Sequence, residues 1–317
     1  MNFFERHPKL TLSTIVGGGV LILLAVAEFS LRLFFGLGNP VLYCSSPLFG
    51  YRLQPNQFVH RRGAEIRVNN LALRADRDWD ENIENKILFL GNSVTYGGTY
   101  ISNNNLFSHL AVQGLSGYVA GNAGVNGWGI ENISALIVDY EFLPARTYVS
   151  VLQEMDFYRG LSKLAGKPFW TTKPTFALQE LLGSFYLDRL SGMYENHERF
   201  VSTLENEKTV ERSCARLKAM DNFLKLRGYT HLIYFSTNTD QLLKRVPPDT
   251  IVAKLLKMYD INGVYLKEKP ELLSLTKAKQ KELFYDWNHL SVKGHELWGK
   301  IIGEDLQRLL GKPSKNL

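Results

Sequence analysis

From Lys86 to the C-terminal region, short apolar runs alternate with longer stretches of helical period, and this alternation restricts the fold more than any other feature. The runs are Ile87–Leu90, Tyr118–Ala120, Tyr148–Leu152, His231–Ser236 and Gly263–Leu266. Between and after them the helical period appears near residues 104–114, 129–142, 207–227, 248–259 and 291–310. In the last stretch Leu297, Trp298, Ile301, Ile302, Leu306, Leu309 and Leu310 fall on one face. Strands that alternate with helices pair in parallel, because each crossover returns the chain to the same edge of the sheet. Five such strands predict a flavodoxin-like three-layer α/β/α sandwich over residues 86–312, with chemistry at the carboxyl ends of the strands. The aromatic-rich segment 158–205 interrupts the pattern and is expected to be a helical insertion overhanging the site.

The N-terminal third reads differently. Leu10 to Ala27 carries no charge, follows Arg6, His7 and Lys9, and its apolar character resumes after Glu28 and Arg32. A stretch of this length suits a transmembrane helix, here residues 10–35, and the basic residues before it favour a cytoplasmic N-terminus at 1–9. Ala25-Val26-Ala27 also fits the small-x-small pattern of a cleaved signal peptide; the apolar residues that continue beyond it favour an uncleaved anchor. Residues 36–85 read as a connector with short β elements: Gly50–Asn56 is turn-rich and Glu65–Val68 alternates as a strand does.

Composition excludes several classes. Lys and Arg total 37 against 31 acidic residues, a net charge of +6, and they form no stripe interleaved with aromatics of the kind nucleic acid requires. The two cysteines, Cys44 and Cys214, lack metal-ligand spacing, and their pairing as a disulfide stays open. No cofactor or metal site is expected. Gly91 and Gly97-Gly98 are not followed by the Gly-Lys-Ser/Thr of a phosphate loop, and the glycines of 121–129 have the wrong spacing for a dinucleotide turn.

Two short stretches carry the chemistry. Gly91-Asn92-Ser93-Val94-Thr95-Tyr96-Gly97 follows the first apolar run and places a serine on a tight turn between strand and helix. A serine there is exposed, and to act as a nucleophile it needs a base and a group that orients the base. Asp286-Trp287-Asn288-His289, just before the last helix, supplies both types of residue. His109, His231 and His295 have no such neighbours in sequence and are read as structural. Trp128, Tyr96 and Trp287 adjoin the motifs as core residues or as a stacking platform for substrate.

With Asn122-Ala123-Gly124-Val125-Asn126-Gly127 and the run His289-Leu290-Ser291-x-x-Gly294, these motifs resemble the SGNH (GDSL-type) hydrolase superfamily over residues 86–310. The resemblance implies that Ser93 is the nucleophile, His289 the general base and Asp286 its orienter. It also implies an oxyanion hole built from Ser93 and Gly124. This chain departs from the family at two places: Asn92 stands where aspartate is usual, and Met155 where a third motif supplies an asparagine. A methionine cannot donate to an oxyanion. Asn126, Gln153 and Arg159 are the candidates for a replacement donor.

The expectation is therefore a membrane-anchored serine esterase or O-acyltransferase acting on ester-linked acyl groups, acetyl by the resemblance, of an envelope carbohydrate or other acylated substrate. It would sit in a bacterial inner membrane by one span, with its catalytic domain in the periplasm. A transferase would need a multi-spanning membrane partner as acyl donor. The other reading, motivated by Asn92 and Met155, is a non-catalytic carbohydrate-binding or assembly protein on the same scaffold.

Overall fold

The computed structural model describes residues 3–164, 169–190, 204–244 and 250–311, so the expected insertion at 158–205 is described only in part. In chain order, a long helix α1 (Pro8–Phe35) precedes two hairpins, β1 (Tyr43–Ser46) with β2 (Gly50–Leu53) and β3 (Gln57–Arg61) with β4 (Ala64–Val68). Five further strands follow: β5 (Lys86–Gly91), β6 (Val119–Asn122), β7 (Thr147–Leu152), β8 (Thr230–Phe235) and β9 (Val264–Tyr265). The helices that matter to the site are α2 (Ser93–Tyr96) and α3 (Phe107–Leu110) after β5, and α4 (Ile130–Ser134) after β6. Then come α5 (Ala177–Leu190) and α6 (Leu204–Leu226) after β7, α7 (Thr250–Met258) after β8, and α8 (Val292–Leu310) at the end.

The five strands form one parallel sheet in the order β6-β5-β7-β8-β9, flanked by helices as a three-layer α/β/α sandwich. Each expected strand overlaps an observed one. The side chains explain why these runs are predominantly apolar: a parallel sheet is covered on both faces, so alternate residues enter two cores. From β5, Leu88 and Leu90 join the core with α4, α6, α7 and the hairpins, whereas Ile87 and Phe89 join the core with α3 and α8. Helix α8 contributes Trp298, Ile301, Ile302 and Leu306 to the second core, as its apolar face predicts, while Leu309 is exposed.

Residues 36–85 pack into the first core through Tyr43, Tyr51, Leu53, Val59, Ile66, Leu73 and Trp79. The turn-rich Gly50–Asn56 begins instead with strand β2, whose Tyr51 and Leu53 are buried beneath the intervening Arg52. One alternating step among turn-forming residues was too short to stand out. Cys44 and Cys214 are free thiols and not bonded to each other. Helix α1 is long and apolar enough, by length and composition, to cross a membrane, and none of its residues is buried.

Candidate active site

The site stands where strand β5 ends. In the observed order β5 lies between β6 and β7, so the chain leaves it at the point where successive connections diverge and a crevice opens. Asn92 caps α2: its Oδ1 accepts the Val94 N–H at 2.8 Å, which turns the chain sharply and puts Ser93 first in the helix. Its Nδ2 donates in the other direction, to Gln153 Oε1 at 2.9 Å and Asp156 Oδ1 at 2.7 Å. An aspartate at 92 would set two carboxylates against each other here. Asparagine fits because the buried acceptors need a donor.

His289 and Asp286 come from the loop before α8. Its ends are pinned by the Phe284–Leu290 bridge and by Tyr285 N–H donating to His289 O at 2.8 Å. Tyr100 Oη donates to Leu290 O at 3.0 Å, and Thr239 donates to Trp287 O through both its N–H and its hydroxyl. Within the loop Asp286 Oδ1 accepts the N–H groups of Asn288 and His289 at 2.8 and 2.7 Å, an Asx turn that fixes the carboxylate. Its Oδ2 lies 2.7 Å from His289 Nδ1, and His289 Nε2 lies 2.9 Å from Ser93 Oγ. The three residues thus form one continuous chain. Partial burial pushes the Asp286 carboxyl upward, but the His289 ring and the two N–H donors outweigh it and hold the group down at about 2. It is an anion at every pH at which an esterase works, and as such it keeps a proton on His289 Nδ1 and leaves Nε2 to face the serine.

The other expected residues are placed less simply. Gly124 is packed so closely that a Cβ would fall on the Tyr96 amide nitrogen, which explains the glycine. Its N–H, however, donates to Asn122 Oδ1 at 2.8 Å. Among the described residues the backbone N–H groups of Ser93 and of Gly127, three residues further on, carry no hydrogen bond. Asn126 donates to Tyr43 Oη at 3.1 Å. Gln153 exchanges amide hydrogen bonds with Asn288, at 2.6 and 3.2 Å, and accepts from Asn92. Arg159 Nη1 donates to Trp128 O at 2.9 Å and to Asp156 Oδ1 at 3.2 Å, while its Nη2 approaches Met155 Sδ at 3.5 Å. All three candidate donors have partners, and Met155 is held between Arg159 and Asn288.

Three supporting groups escaped the sequence reading. Asn288 is buried and closes the amide network with Gln153, Asn92 and Asp156; the only hint was an amide inside the Asp286-x-x-His289 spacing. Asp156 is wholly buried, and desolvation raises it to about 6 although Arg159, the Gln153 N–H and Asn92 all pull it down. Arg74, also buried, donates to the carbonyls of Tyr96, Gly98 and Ile101 at 2.6, 2.8 and 2.6 Å and so clamps the loop after Ser93. Of the remaining histidines, His109 pairs with Asp76, His295 accepts the Phe107 N–H, and His231 is buried between Ser150 and Asp221. No cluster of potential metal ligands occurs among the described residues.

No family model and no curated protein matches the chain. Solved structures similar to it include a member of the lipolytic G-D-S-L family from Veillonella parvula, 12% identical over 72% of this chain and 99% of its own, with a TM-score of 0.36. The lipase/acylhydrolase from Enterococcus faecalis is 14% identical, with coverages of 73% and 100% and a TM-score of 0.42. An acetyl xylan esterase is 15% identical, with coverages of 71% and 99% and a TM-score of 0.40. The chain is thus similar to G-D-S-L lipolytic proteins and esterases, the group its motifs resemble.

Proposed function

We propose that the chain is a serine acyl-ester hydrolase or O-acyltransferase, anchored by α1 in a bacterial inner membrane with its catalytic domain in the periplasm. The observation that carries this reading is the hydrogen-bonded chain from Ser93 Oγ through His289 to Asp286 at the crevice end of β5. Ser93 Oγ attacks the ester carbonyl and passes its proton to His289 Nε2. His289 then returns that proton to the departing alcohol, leaving an acyl group on Ser93. Water, or a hydroxyl acceptor, releases the acyl group by the same steps in reverse. Backbone amides hold the oxyanion: that of Ser93, and in the Gly124–Gly127 loop that of Gly127, since Asn122 occupies the one on Gly124.

Ester-bearing carbohydrate is the substrate class we favour, with acetyl as the acyl group. Of the three aromatic residues named from sequence, Trp128 and Tyr96 are fully buried and serve the core, but Trp287 is 42% exposed. Tyr285 beside it is 58% exposed and stacks on Tyr100 with ring centroids 4.0 Å apart. Flat apolar faces next to the Asp286–His289 pair suit the faces of sugar rings.

Fluorophosphonate labelling of the full-length protein tests the mechanism. Wild type should label, and both Ser93→Ala and His289→Ala should not; retained labelling in folded Ser93→Ala would overturn the assignment. The non-catalytic reading is favoured by one observation, that Asn126, Gln153 and Arg159, the candidates to replace the asparagine missing at Met155, all have other partners. It predicts a folded wild type that never labels but binds acylated polymer whether or not Ser93 is present.

A further inference from the structure

Helix α1 does not end in a free linker. Its Glu28 accepts the N–H groups of Ala177 and Leu178 at 2.7 and 3.0 Å, so a residue of the apolar helix caps the start of α5. Arg32, bonded to Glu28 at 2.6 Å, donates to Thr175 O at 2.9 Å. One turn into α5, Glu180 accepts from Gly38 N–H at 2.7 Å and from Arg61 at 2.6 Å, and this ion pair is almost wholly buried. Gly36 closes α1 in the left-handed region, at φ +66°, where a Cβ would fall on His60 O. Three successive connections therefore weld the end of α1 to α5 and to the β3–β4 hairpin.

While α5 turns Ala177 and Glu180 inward, Phe176, Leu181 and Leu182 are 57%, 42% and 64% exposed. The segment that carries them meets the last turns of α1 through Thr175, Ala177 and Leu178, and there Phe29, Leu33, Phe34 and Phe35 are exposed too. Exposed Lys173 and half-exposed Arg32 lie at the edge of the same region. A patch of large apolar side chains continuous with an apolar helix, and edged by cations, has the composition of a surface that enters the acyl–headgroup boundary of a bilayer with anionic lipid.

Resting on the reading of α1 as a membrane anchor, we infer that Phe176, Leu181 and Leu182 form a second membrane contact, an interfacial one made by the start of α5. The catalytic domain is then held against the bilayer at a fixed tilt, because the Glu28 and Glu180 connections leave no hinge between the two. A lipid surface is the occupant that this continuity selects; a multi-spanning protein or a second copy of the chain would cover the patch differently.

Spin labels on the full-length protein distinguish these cases. Single cysteines would replace Leu182, Leu21 in the middle of α1, and the exposed Lys277, in a background lacking Cys44 and Cys214. Each would be reconstituted in phosphatidylcholine–phosphatidylglycerol vesicles, with collisions measured against oxygen and against a water-soluble nickel chelate. The inference expects labels at 182 and 21 to collide more with oxygen and the label at 277 more with nickel. A label at 182 that follows 277, while 21 stays in lipid, overturns the second contact and leaves the anchor standing. Shielding of 182 from both reagents overturns the lipid occupant in favour of protein. Nickel access at 21 removes the anchor reading and the inference together.

Discussion

Among the described residues two Ser–His–Asp chains occur, and their distances barely differ. In one, Ser93 Oγ is 2.9 Å from His289 Nε2, whose Nδ1 is 2.7 Å from Asp286. In the other, Ser150 Oγ is 2.9 Å from His231 Nε2, whose Nδ1 is 3.0 Å from Asp221. Their surroundings separate them. The His289 and Asp286 side chains are 31% and 39% exposed, whereas those of His231 and Asp221 are 0% and 9% exposed. Ser93 opens a helix at a strand end and its own N–H is unused among the described residues. Ser150 lies in mid-strand, paired with Leu90 on one side and Ile233 on the other, so no backbone donors converge on it. On the proposed reading, the same three side chains support acyl transfer in one place and satisfy buried polar groups in the other. Distance alone does not identify a catalytic triad; access and free N–H donors do.

The serines give the largest expected difference. Ser93→Ala should lower ester turnover by ~10⁴–10⁶-fold with little loss of stability. Ser150→Ala should leave turnover and labelling unchanged and cost about 1–2 kcal/mol, because the buried His231 loses its partner. A folded Ser150→Ala protein that no longer labels would break the distinction.

The aspartates come next. Asp286→Asn should reduce kcat about 10⁴-fold by favouring the wrong tautomer of His289. Asp221→Asn should spare kcat and cost about 1–2 kcal/mol of stability, since it weakens the hydrogen bond to buried His231, while its pair with the largely exposed Lys225 adds little. Acid titration reads the same contrast through its sign. Although burial raises Asp221, its bonds to His231 and Lys225 prevail, and the carboxyl lies below its ordinary 3.8. Its stabilisation is therefore present above that pH and is lost as pH falls through the lowered value. Asp156 acts oppositely: burial raises it from 3.8 to about 6, so its contribution is full below 3.8 and fades as pH rises through about 6. That shift corresponds to about 3 kcal/mol between the two limits. Urea midpoints across this range should lose the upper slope in Asp156→Asn and the lower slope in Asp221→Asn; unchanged slopes would mean that neither carboxyl is coupled to folding.

The sheet was legible because burial on both faces writes its strands as predominantly apolar runs. The Ser93–His289–Asp286 chain was legible because Asp286 and His289 share one short loop and Ser93 announces its own turn. The second Ser–His–Asp chain was not, since Ser150, Asp221 and His231 lie on three elements and look like ordinary strand and helix residues. Strand β2 was missed because its alternation is a single step, Tyr51-Arg52-Leu53, set among turn-forming residues. The weld between α1 and α5 was invisible for a related reason. Glu28 and Arg32 lie four apart, the spacing of a helical pair, yet their further partners are about 145 residues away in the chain.

Met155 offers the smallest effect and the finest test of what distinguishes the two chains. If free donors near Ser93 are what make its chain catalytic, adding one should help. Met155 is half-buried in the short helical turn Glu154–Phe157 after β7, with Arg159 Nη2 at 3.5 Å and Asn288 Nδ2 at 3.9 Å from its sulfur. Both neighbours are donors facing a poor acceptor, so an asparagine oxygen can accept from them and leave its own amide to donate elsewhere. A well-placed oxyanion donor is worth ~2.7–4 kcal/mol, and a graft without refined packing should recover part of that, about a tenfold rise in kcat at little change in KM. Met155→Leu, similar in volume and unable to donate, should leave kcat unchanged. Equal rates in the two variants would place the oxyanion away from Met155 and assign its stabilisation to the backbone alone.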